Sequence, residues 1–459
     1  MAELVWPGKY RDGVRVEVAR RPPAAIRVEE VHGGRAGLAG EGSPAAGASR
    51  NRLVHGDVPD VLAALLPDLA GRVSLVYVDP PFDTGGDFDF QAAIPGAPED
   101  APRVAVRAYR DARGLDAWIA WFADTAALLR DLLVDGGSFY VHLDAHAAHY
   151  AKVVLDEVFG PDAFQREIVW RIGWVSGYKA KSRGWIRNHD TLLFYAKGGR
   201  PVTFAKEYVP YPPGYVRRDG KPPRGVGVPV DDVWNAHPLD RLDSIQIMSF
   251  SGEKVGYPTQ KNEALVARIL RASSKPGDIV LDAFVGSGTT AVVAEKLGRR
   301  WVACDASPVA IHAARKRLLS LGEIAPFAVE RADPAAGDRA APEGKRSLRA
   351  RVRVDGRRAT IDLVSFALAA RALSAVPAAT RAGVKHWSQW IDGYCIDWDH
   401  QAGVLNAGSR VWRARGQAQL PLVATHAYAG PGRYVALVKA FDVLGGATTK
   451  ALRVDVDPP

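Results

Sequence analysis

The sequence predicts an α/β protein with a doubly wound, largely parallel sheet, followed by a smaller C-terminal all-β unit. Three observations carry that expectation. Strand-like and helix-like stretches alternate from residue 51 to about 320, the pattern of successive βαβ units. Two of those strands end in carboxylate-bearing turns, one stiffened by prolines and one rich in glycine. Beyond residue 347 the pattern changes to apolar/polar alternation around turns, as in Arg349-Ala-Arg-Val-Arg-Val and Ala359-Thr-Ile-Asp-Leu-Val on either side of Asp355-Gly356.

Residues 1–50 read as an N-terminal extension in which 33–50, rich in Gly, Ala and Ser, form a flexible linker. A short strand is expected over 51–57 and a helix over 58–69. The apolar run 75–78 is a strand, halted at Asp79-Pro80-Pro81-Phe82 because proline cannot donate to a ladder and restricts the residue before it. Residues 85–113 lack periodicity and carry Gly, Pro and charge, so they are expected as a surface loop or a flap over that turn. A helix follows over 116–133, with Asp116 as N-cap and Gly136-Gly137 as stop. Then come a buried strand over 138–144, a helix over 147–159, and strands over 164–172 and 190–196.

In open α/β sheets ligands sit beyond the carboxyl ends of strands, where Asp79 and Phe82 fall. Methylation of a nucleobase exocyclic amine needs that combination. The amine lone pair is delocalised into the ring, and a carboxylate with a prolyl carbonyl can accept its two N–H hydrogens and free it. An aromatic ring can hold the plane of a base that has left its duplex. The remaining step is an in-line attack that needs positioning and electrostatics. A strand-to-loop turn with a solvated aspartate accounts for the tetrapeptide equally well.

At 459 residues the chain is long enough for two or three domains, and 47% hydrophobic with 24% charged residues is an ordinary globular balance. No apolar run reaches membrane-spanning length, and the N-terminus lacks a secretory pattern. Two unpaired-spacing cysteines, Cys304 and Cys395, support neither a disulfide framework nor a zinc site. A cytoplasmic, metal-free protein is expected. Of the net charge of +9, the segment 166–224 alone supplies +9, with 13 Lys/Arg against 4 Asp/Glu, so a polyanionic partner is implied. Within it Lys179, Lys181, Arg183 and Arg187 interleave with Trp174, Tyr178 and Trp185. That mixture suits phosphate neutralisation and base stacking, although a solvated loop with tryptophans packed on the core would look alike. Residues 197–256, with Arg217 and Arg218, are irregular and Pro/Gly-rich, and read as an insertion that contacts DNA.

The second turn is Asp282-Ala-Phe284-Val-Gly286-Ser287-Gly288-Thr289-Thr290, between a strand and a helix start. Its glycines would let a ligand approach the backbone and the free N–H groups of the helix. Asp305 ends the next strand 19 residues beyond Gly286, where an acid can accept from ribose hydroxyls. A dinucleotide is disfavoured by the missing third glycine and by Asp282, which would repel a pyrophosphate and favour a cationic group.

With these residues in view, the chain over roughly 50–320 resembles the S-adenosylmethionine-dependent DNA amino-methyltransferases of the permuted (beta) class. It looks most like type III modification subunits and their solitary relatives. The resemblance rests on Asp79-Pro-Pro-Phe82-Asp-Thr-Gly, Tyr257-Pro-Thr-Gln-Lys261, Asp282-Ala-Phe-Val-Gly-Ser-Gly-Thr-Thr290 and Arg299-Arg-Trp-Val-Ala-Cys-Asp305. It implies a Rossmann-like methyltransferase domain over 51–330, with a catalytic motif at 75–85, a target-recognition region at about 173–256 and a cofactor region at 257–310. It implies that Asp79, Pro80, Pro81 and Phe82 hold and activate a flipped base. Asp282, Phe284, Gly286, Ser287, Gly288 and Thr289 would cradle S-adenosylmethionine, with Asp79 beside it, Asp305 on the ribose, and Thr259 and Lys261 closing over the methionine end. Phe82 stands where the family usually has tyrosine, Asp83 where asparagine is frequent, and Asn262 where proline often follows the lysine. Aspartate at the first motif position is commoner in adenine methylators, which favours N6 of adenine in double-stranded DNA over N4 of cytosine; a non-catalytic binding protein of the same fold is the third reading. A restriction endonuclease subunit or a second copy of the chain are the implied protein partners, and no membrane is involved.

Residues 331–347 read as an Ala/Pro/Gly linker and 348–459 as an accessory β domain. Its closing hairpin, 431–456, resembles the end of PKD-type, immunoglobulin-like β-sandwiches. Trp387, Trp390, Trp398 and Trp412 are expected in its core, and the domain is expected to dock DNA, a second subunit or a nuclease.

Overall fold

The computed structural model describes residues 3–457 apart from 13, 16–23, 34–49, 84, 98–101, 176–180, 182, 238, 246, 249–250, 334–344, 402 and 415. Most of the two segments expected as linkers therefore falls outside the described residues. No helix among the described residues is long and apolar enough to cross a membrane.

An 11-stranded sheet forms the centre. In chain order its first strands are β1 (Ile26–His32), β2 (Asn51–His55) and β3 (Val73–Val78). A separate hairpin of β4 (Gly86–Ala92) and β5 (Val104–Asp111) follows, and the sheet resumes with β6 (Leu133–Leu143), β7 (Phe164–Arg171), β8 (His189–Ala196) and β9 (Val233–Trp234). It is completed by β10 (Ile279–Asp282), β11 (Arg300–Asp305), β12 (Phe327–Ala332) and, far along the chain, β16 (Leu405–Asn406). The spatial order is β9-β7-β8-β6-β3-β10-β11-β2-β12-β1-β16. Strands β6, β3, β10, β11, β2 and β12 run parallel to one another, while β8 is antiparallel to both its neighbours and β1 is antiparallel to β12 but parallel to β16. Parallel neighbours need crossovers, and the helices supply them on both faces. Helices α1 (Val58–Leu69), α2 (Leu115–Leu132) and α3 (Ala148–Phe159) bury Leu62, Phe122 and Leu155 against Val76 and Val78. Helices α4 (Glu263–Ser273), α5 (Thr289–Lys296) and α6 (Pro308–Leu319) bury Ile269, Val292 and Leu318 against Leu75 and Tyr77. The alternation of side chains along β3 thus feeds two cores.

Several boundaries differ from the expectation. The sheet does not begin at residue 51, because β1 pairs with β12 from Ile26 to His32. Its partner lies about 300 residues away, and the loose alternation of 1–32, readable only as an edge hairpin, did not signal that pairing. Helix α2 starts on Gly114, whose φ of 86° breaks the chain direction, and Asp116 sits inside the first turn rather than capping it. Residues 85–113 are not an irregular loop but the β4–β5 hairpin, with Phe88, Phe90 and Val106, Ala108 alternating along its strands.

Residues 347–456 build two small sheets around one core. Strands β13 (Ser347–Asp355), β14 (Arg358–Ala367) and β18 (Val423–Ala427) form one, and β17 (Ser409–Trp412), β15 (Ile391–Asp397), β19 (Gly432–Asp442) and β20 (Ala447–Val456) the other. Ile361, Tyr394, Val438 and Val454 lie between them. The unit is not purely β, since short helices span Ala370–Ser374 and Ala378–Ala382. Nor is it separate: β16 leaves it to join the large sheet beside β1. Buried Glu30 of β1 accepts from Arg315 of α6 at 2.8 Å and from Lys439 of β19 at 2.7 Å. Trp390 and Trp398 are buried in this core, as expected for them.

Phe327, fully buried between His32 of β1 and Trp301 of β11, ties β12 to β1 on one side and, across β2, to β11 on the other. Replacing it with Ala should cost about 3–5 kcal/mol, read as a lower urea midpoint with an unchanged m-value.

Candidate functional site

Strands β3 and β10 are parallel neighbours, with Leu75 opposite Val280 and Val76 opposite Leu281. Their carboxyl ends therefore lie side by side, and the turns that follow them face one cleft. The cleft holds about 770 Å³ of empty space, the open solvent at its mouth included. Asp79, Pro80, Pro81, Phe82, Thr259, Lys261, Asp282, Phe284, Gly286, Ser287, Thr289 and Asp305 all line it. Gly288 is not among the lining residues; a Cβ there would lie 2.8 Å from the Ala314 Cα of α6, so this glycine serves loop–helix packing. Gly286 has φ +48°, and a Cβ on it would stand 3.2 Å from the Tyr257 ring. Close packing favours glycine at both positions, and Gly286 also lines the cleft.

The Asp79 turn is held from three sides. Trp118 Nε1 donates to the Pro81 carbonyl at 2.6 Å. Asp83, at φ 58°, donates its N–H to Asp111 Oδ1 at 2.6 Å and accepts from the N–H groups of Arg113 and Gly114 at 2.7 and 2.9 Å. Lys261 Nζ forms an ion pair with Asp79 Oδ2 and stands 5.6 Å from the Phe82 ring centre. The other oxygen, Asp79 Oδ1, is buried and has no hydrogen-bond partner among the described residues. A buried acceptor left unmade costs about 1–3 kcal/mol, so this atom is poised for a donor.

Across the cleft, Asp282 Oδ1 accepts from Phe284 N–H at 2.9 Å, and Asp305 accepts from Gly286 N–H and Ser307 N–H, each at 2.9 Å. Burial pushes the Asp282 carboxyl up to about 7, with Asp79 and Asp305 adding to the effect against the hydrogen bonds of Thr290 and Phe284. Burial likewise raises Asp305 to about 6, against its backbone hydrogen bonds. A cleft lined by four carboxylates, Asp79, Asp111, Asp282 and Asp305, and one lysine is suited to a ligand carrying positive charge. The rest of the cradle is Thr289, whose Oγ1 donates to the Lys261 carbonyl at 3.2 Å and accepts from Arg317 at 2.9 Å.

Tyr77, Phe88, Tyr109, Asp111 and Tyr257 also line the cleft and were missed from sequence. Tyr109 and Phe88 stack 5.0 Å apart across the hairpin, and the Tyr109 hydroxyl is 3.3 Å from Thr259 Oγ1. The alternation in Gly86-Asp-Phe-Asp-Phe-Gln-Ala was the available signal.

The basic candidates lie away from the cleft lining. Lys179 and Tyr178 fall outside the described residues. Lys181, Arg183 and Arg218 are exposed, as are Trp174 and Trp185 at 76% and 103%. Arg187 is engaged with Asp190 and Asp144, and Arg217 with Asp219 at 3.2 Å. Arg187 thereby ties its loop to the sheet, with its side chain still partly exposed.

A DNA methylase (N6/N4) family model matches residues 73–316. Among curated relatives, the type II methyltransferase M.EcaI of Enterobacter cloacae is 28% identical over an alignment of 310 residues that covers 54% of this chain and 64% of that protein. The DNA adenine methyltransferase YhdJ of Escherichia coli is 28% identical over 284 residues, 58% of this chain and 82% of that protein. Among solved structures, an M1.HpyAVI–SAM complex is 20% identical with a TM-score of 0.36, covering 58% of this chain and 100% of that one. M.EcaI is named a type II enzyme and YhdJ a DNA adenine methyltransferase, and the family matched is the one the motifs had suggested.

The raised carboxyls fix a sign. A folded pKa above the unfolded value near 4 means stability is full at acidic pH and lost as pH rises through 6 to 7. The unliganded protein should therefore lose stability from about pH 4 to about pH 7, with little further loss above. Asp282→Asn should flatten that loss, measured as urea midpoints of both proteins across the range.

Proposed function

The chain belongs to the N6/N4 DNA methylase family, and from that premise we propose that it transfers a methyl group from S-adenosylmethionine to N6 of adenine in double-stranded DNA. The observation that carries this reading is the unsatisfied Asp79 Oδ1, buried in the same cleft as the glycine turn and its raised carboxyls. The residues present fit the cofactor: Asp282 and Asp305 offer negative charge to a cationic amino acid end and to ribose hydroxyls. S-adenosylmethionine, when bound, supplies an electrophilic methyl group on sulfur.

In this reading Asp79 Oδ1 and the Pro80 carbonyl accept the two N–H hydrogens of the target amine and draw its lone pair out of the ring. Lys261 holds Oδ2, so the free oxygen keeps one direction. Phe82 stacks on the flipped base, for which a ring suffices and a hydroxyl is not required. The proton that the amine sheds has Asp79 Oδ1 as its acceptor. Lys181, Arg183 and Arg218, with Trp174 and Trp185, supply the phosphate and stacking contacts of the duplex.

Adenine is preferred because Asp79 opens the motif, and YhdJ, a relative over most of its length, is named an adenine methyltransferase. We read residues 347–456 as a sandwich of the immunoglobulin or PKD type, and a restriction endonuclease subunit or a second copy as the protein partner. We keep 51–330 and 348–459 as the proposed domain limits, with β1 and β16 assigned to the sheet of the first.

Incubation of the protein with duplex DNA and labelled S-adenosylmethionine, followed by nucleoside mass spectrometry, should yield N6-methyldeoxyadenosine. N4-methyldeoxycytidine would move the target, and no labelled base would leave a binding protein. Asp79→Ala should lower the rate by at least ~10²-fold with cofactor affinity within a few-fold of wild type. Retained activity would refute the role given to that carboxylate.

A further inference from the structure

The β4–β5 hairpin reaches in two directions. At its open end Asp111 holds the Asp79 turn through Asp83 and, by its carbonyl, accepts from Gly85 N–H at 2.8 Å. There too Tyr109 meets Thr259, and the Phe90 ring lies 6.4 Å from Tyr257, whose ring backs Gly286. At the far end Ala92, Ile94 and Val104 are buried in the apolar core of residues 347–456. Gln389 Nε2 donates to the Pro95 carbonyl at 2.7 Å, and its Oε1 accepts from the N–H groups of Lys385 and His386 at 2.7 and 2.8 Å. Thr380 Oγ1 donates to the Pro102 carbonyl at 2.7 Å.

Among the described residues the hairpin pairs with no third strand. A lone two-stranded hairpin is marginal in water, so its placement depends on what grips its ends. The same C-terminal unit also grips the helix behind the glycine turn. Asp392 accepts from His312 at 2.9 Å and from Lys316 at 2.6 Å, both on α6, and the next residue of that helix, Arg317, bonds Thr289.

We propose that the C-terminal unit is a brace that sets the geometry of the cleft, with Gln389, Thr380 and the socket around Ile94 as positioning residues for methyl transfer. They act through a hairpin of about seven residues per strand, roughly 20 Å from the cleft. The proposal rests on the methyltransferase reading above. The hairpin carries one wall of the cleft and α6 backs the other, and both are clamped by one body. A unit present only for stability would need neither the two backbone-directed bonds nor the burial of Ala92, Ile94 and Val104.

The test uses the full chain with Gln389→Ala, Thr380→Ala, Thr380→Ser and Ile94→Ala, and Val454→Ala, in the last strand of the same core, as the stability control. Single-turnover methylation of duplex DNA, S-adenosylmethionine affinity and melting temperature are measured below every melting transition. Gln389→Ala combined with Thr380→Ala should slow methyl transfer about tenfold or more and weaken cofactor binding, Ile94→Ala should do likewise, and Thr380→Ser should restore the rate. Val454→Ala should melt earlier with a rate within about twofold of wild type. Brace variants that melt earlier at the wild-type rate, or a control slowed as much, would overturn the proposal. Hydrogen exchange over 86–92 and 104–111 reads the brace without chemistry. Unchanged protection in the variants overturns it even where the wild type methylates no DNA, and such a failure of the wild type overturns only the preceding reading.

Discussion

The parallel pairing of Val73–Val78 with Ile279–Asp282 is the constraint on which the rest depends. Two segments some 200 residues apart become adjacent strands, and only then do their turns share a cleft. Register matters as much as adjacency. A slip of one residue would send Tyr77 and Asp79 to the opposite face and leave the carboxylates unable to meet. The two apolar cores on either face make such a slip costly, because Leu75 and Val76 are each fitted to their own cluster.

Charge is concentrated where the sheet brings those turns together. Asp79, Asp282 and Asp305 stand in a desolvated cleft with Lys261 beside the first. Burying like charges is unfavourable unless something compensates them. Backbone N–H groups do part of this at Asp282 and Asp305, and the lysine does part at Asp79. What is left over is the field that a cationic ligand would meet, with rigid partners already oriented, so that little reorganisation is required on binding.

Much of this was legible in the sequence, and what was not has a physical reason. The two motifs, their strands and the helices between them are local, and apolar spacing with proline and glycine punctuation marks them. The strand Ile26–His32 escaped because its partner is Phe327–Ala332 and its own alternation is weak. The hairpin escaped because glycine, proline and charge around residues 93–103 outweighed a visible alternation of Phe88, Phe90 and Tyr109. Arg187 shows a limit of charge counting, since a basic residue in a basic loop is bound to Asp190 and Asp144. No count of lysines and arginines distinguishes a cation that waits for phosphate from one that already has its carboxylate.

The two-residue strand Leu405–Asn406 closes the margin of the large sheet beside Ile26–His32. During synthesis the N-terminal strand must wait for residues 327–332 and then for 405–406, so its outer row of amides is left uncovered until most of the chain has emerged. Such late closure joins contacts of very long sequence separation, which slows folding and prolongs exposure of a sticky border. Maturation of this protein is thereby tied to completion of its last quarter, and a ribosome stalled short of that point would release a chain with an open flank.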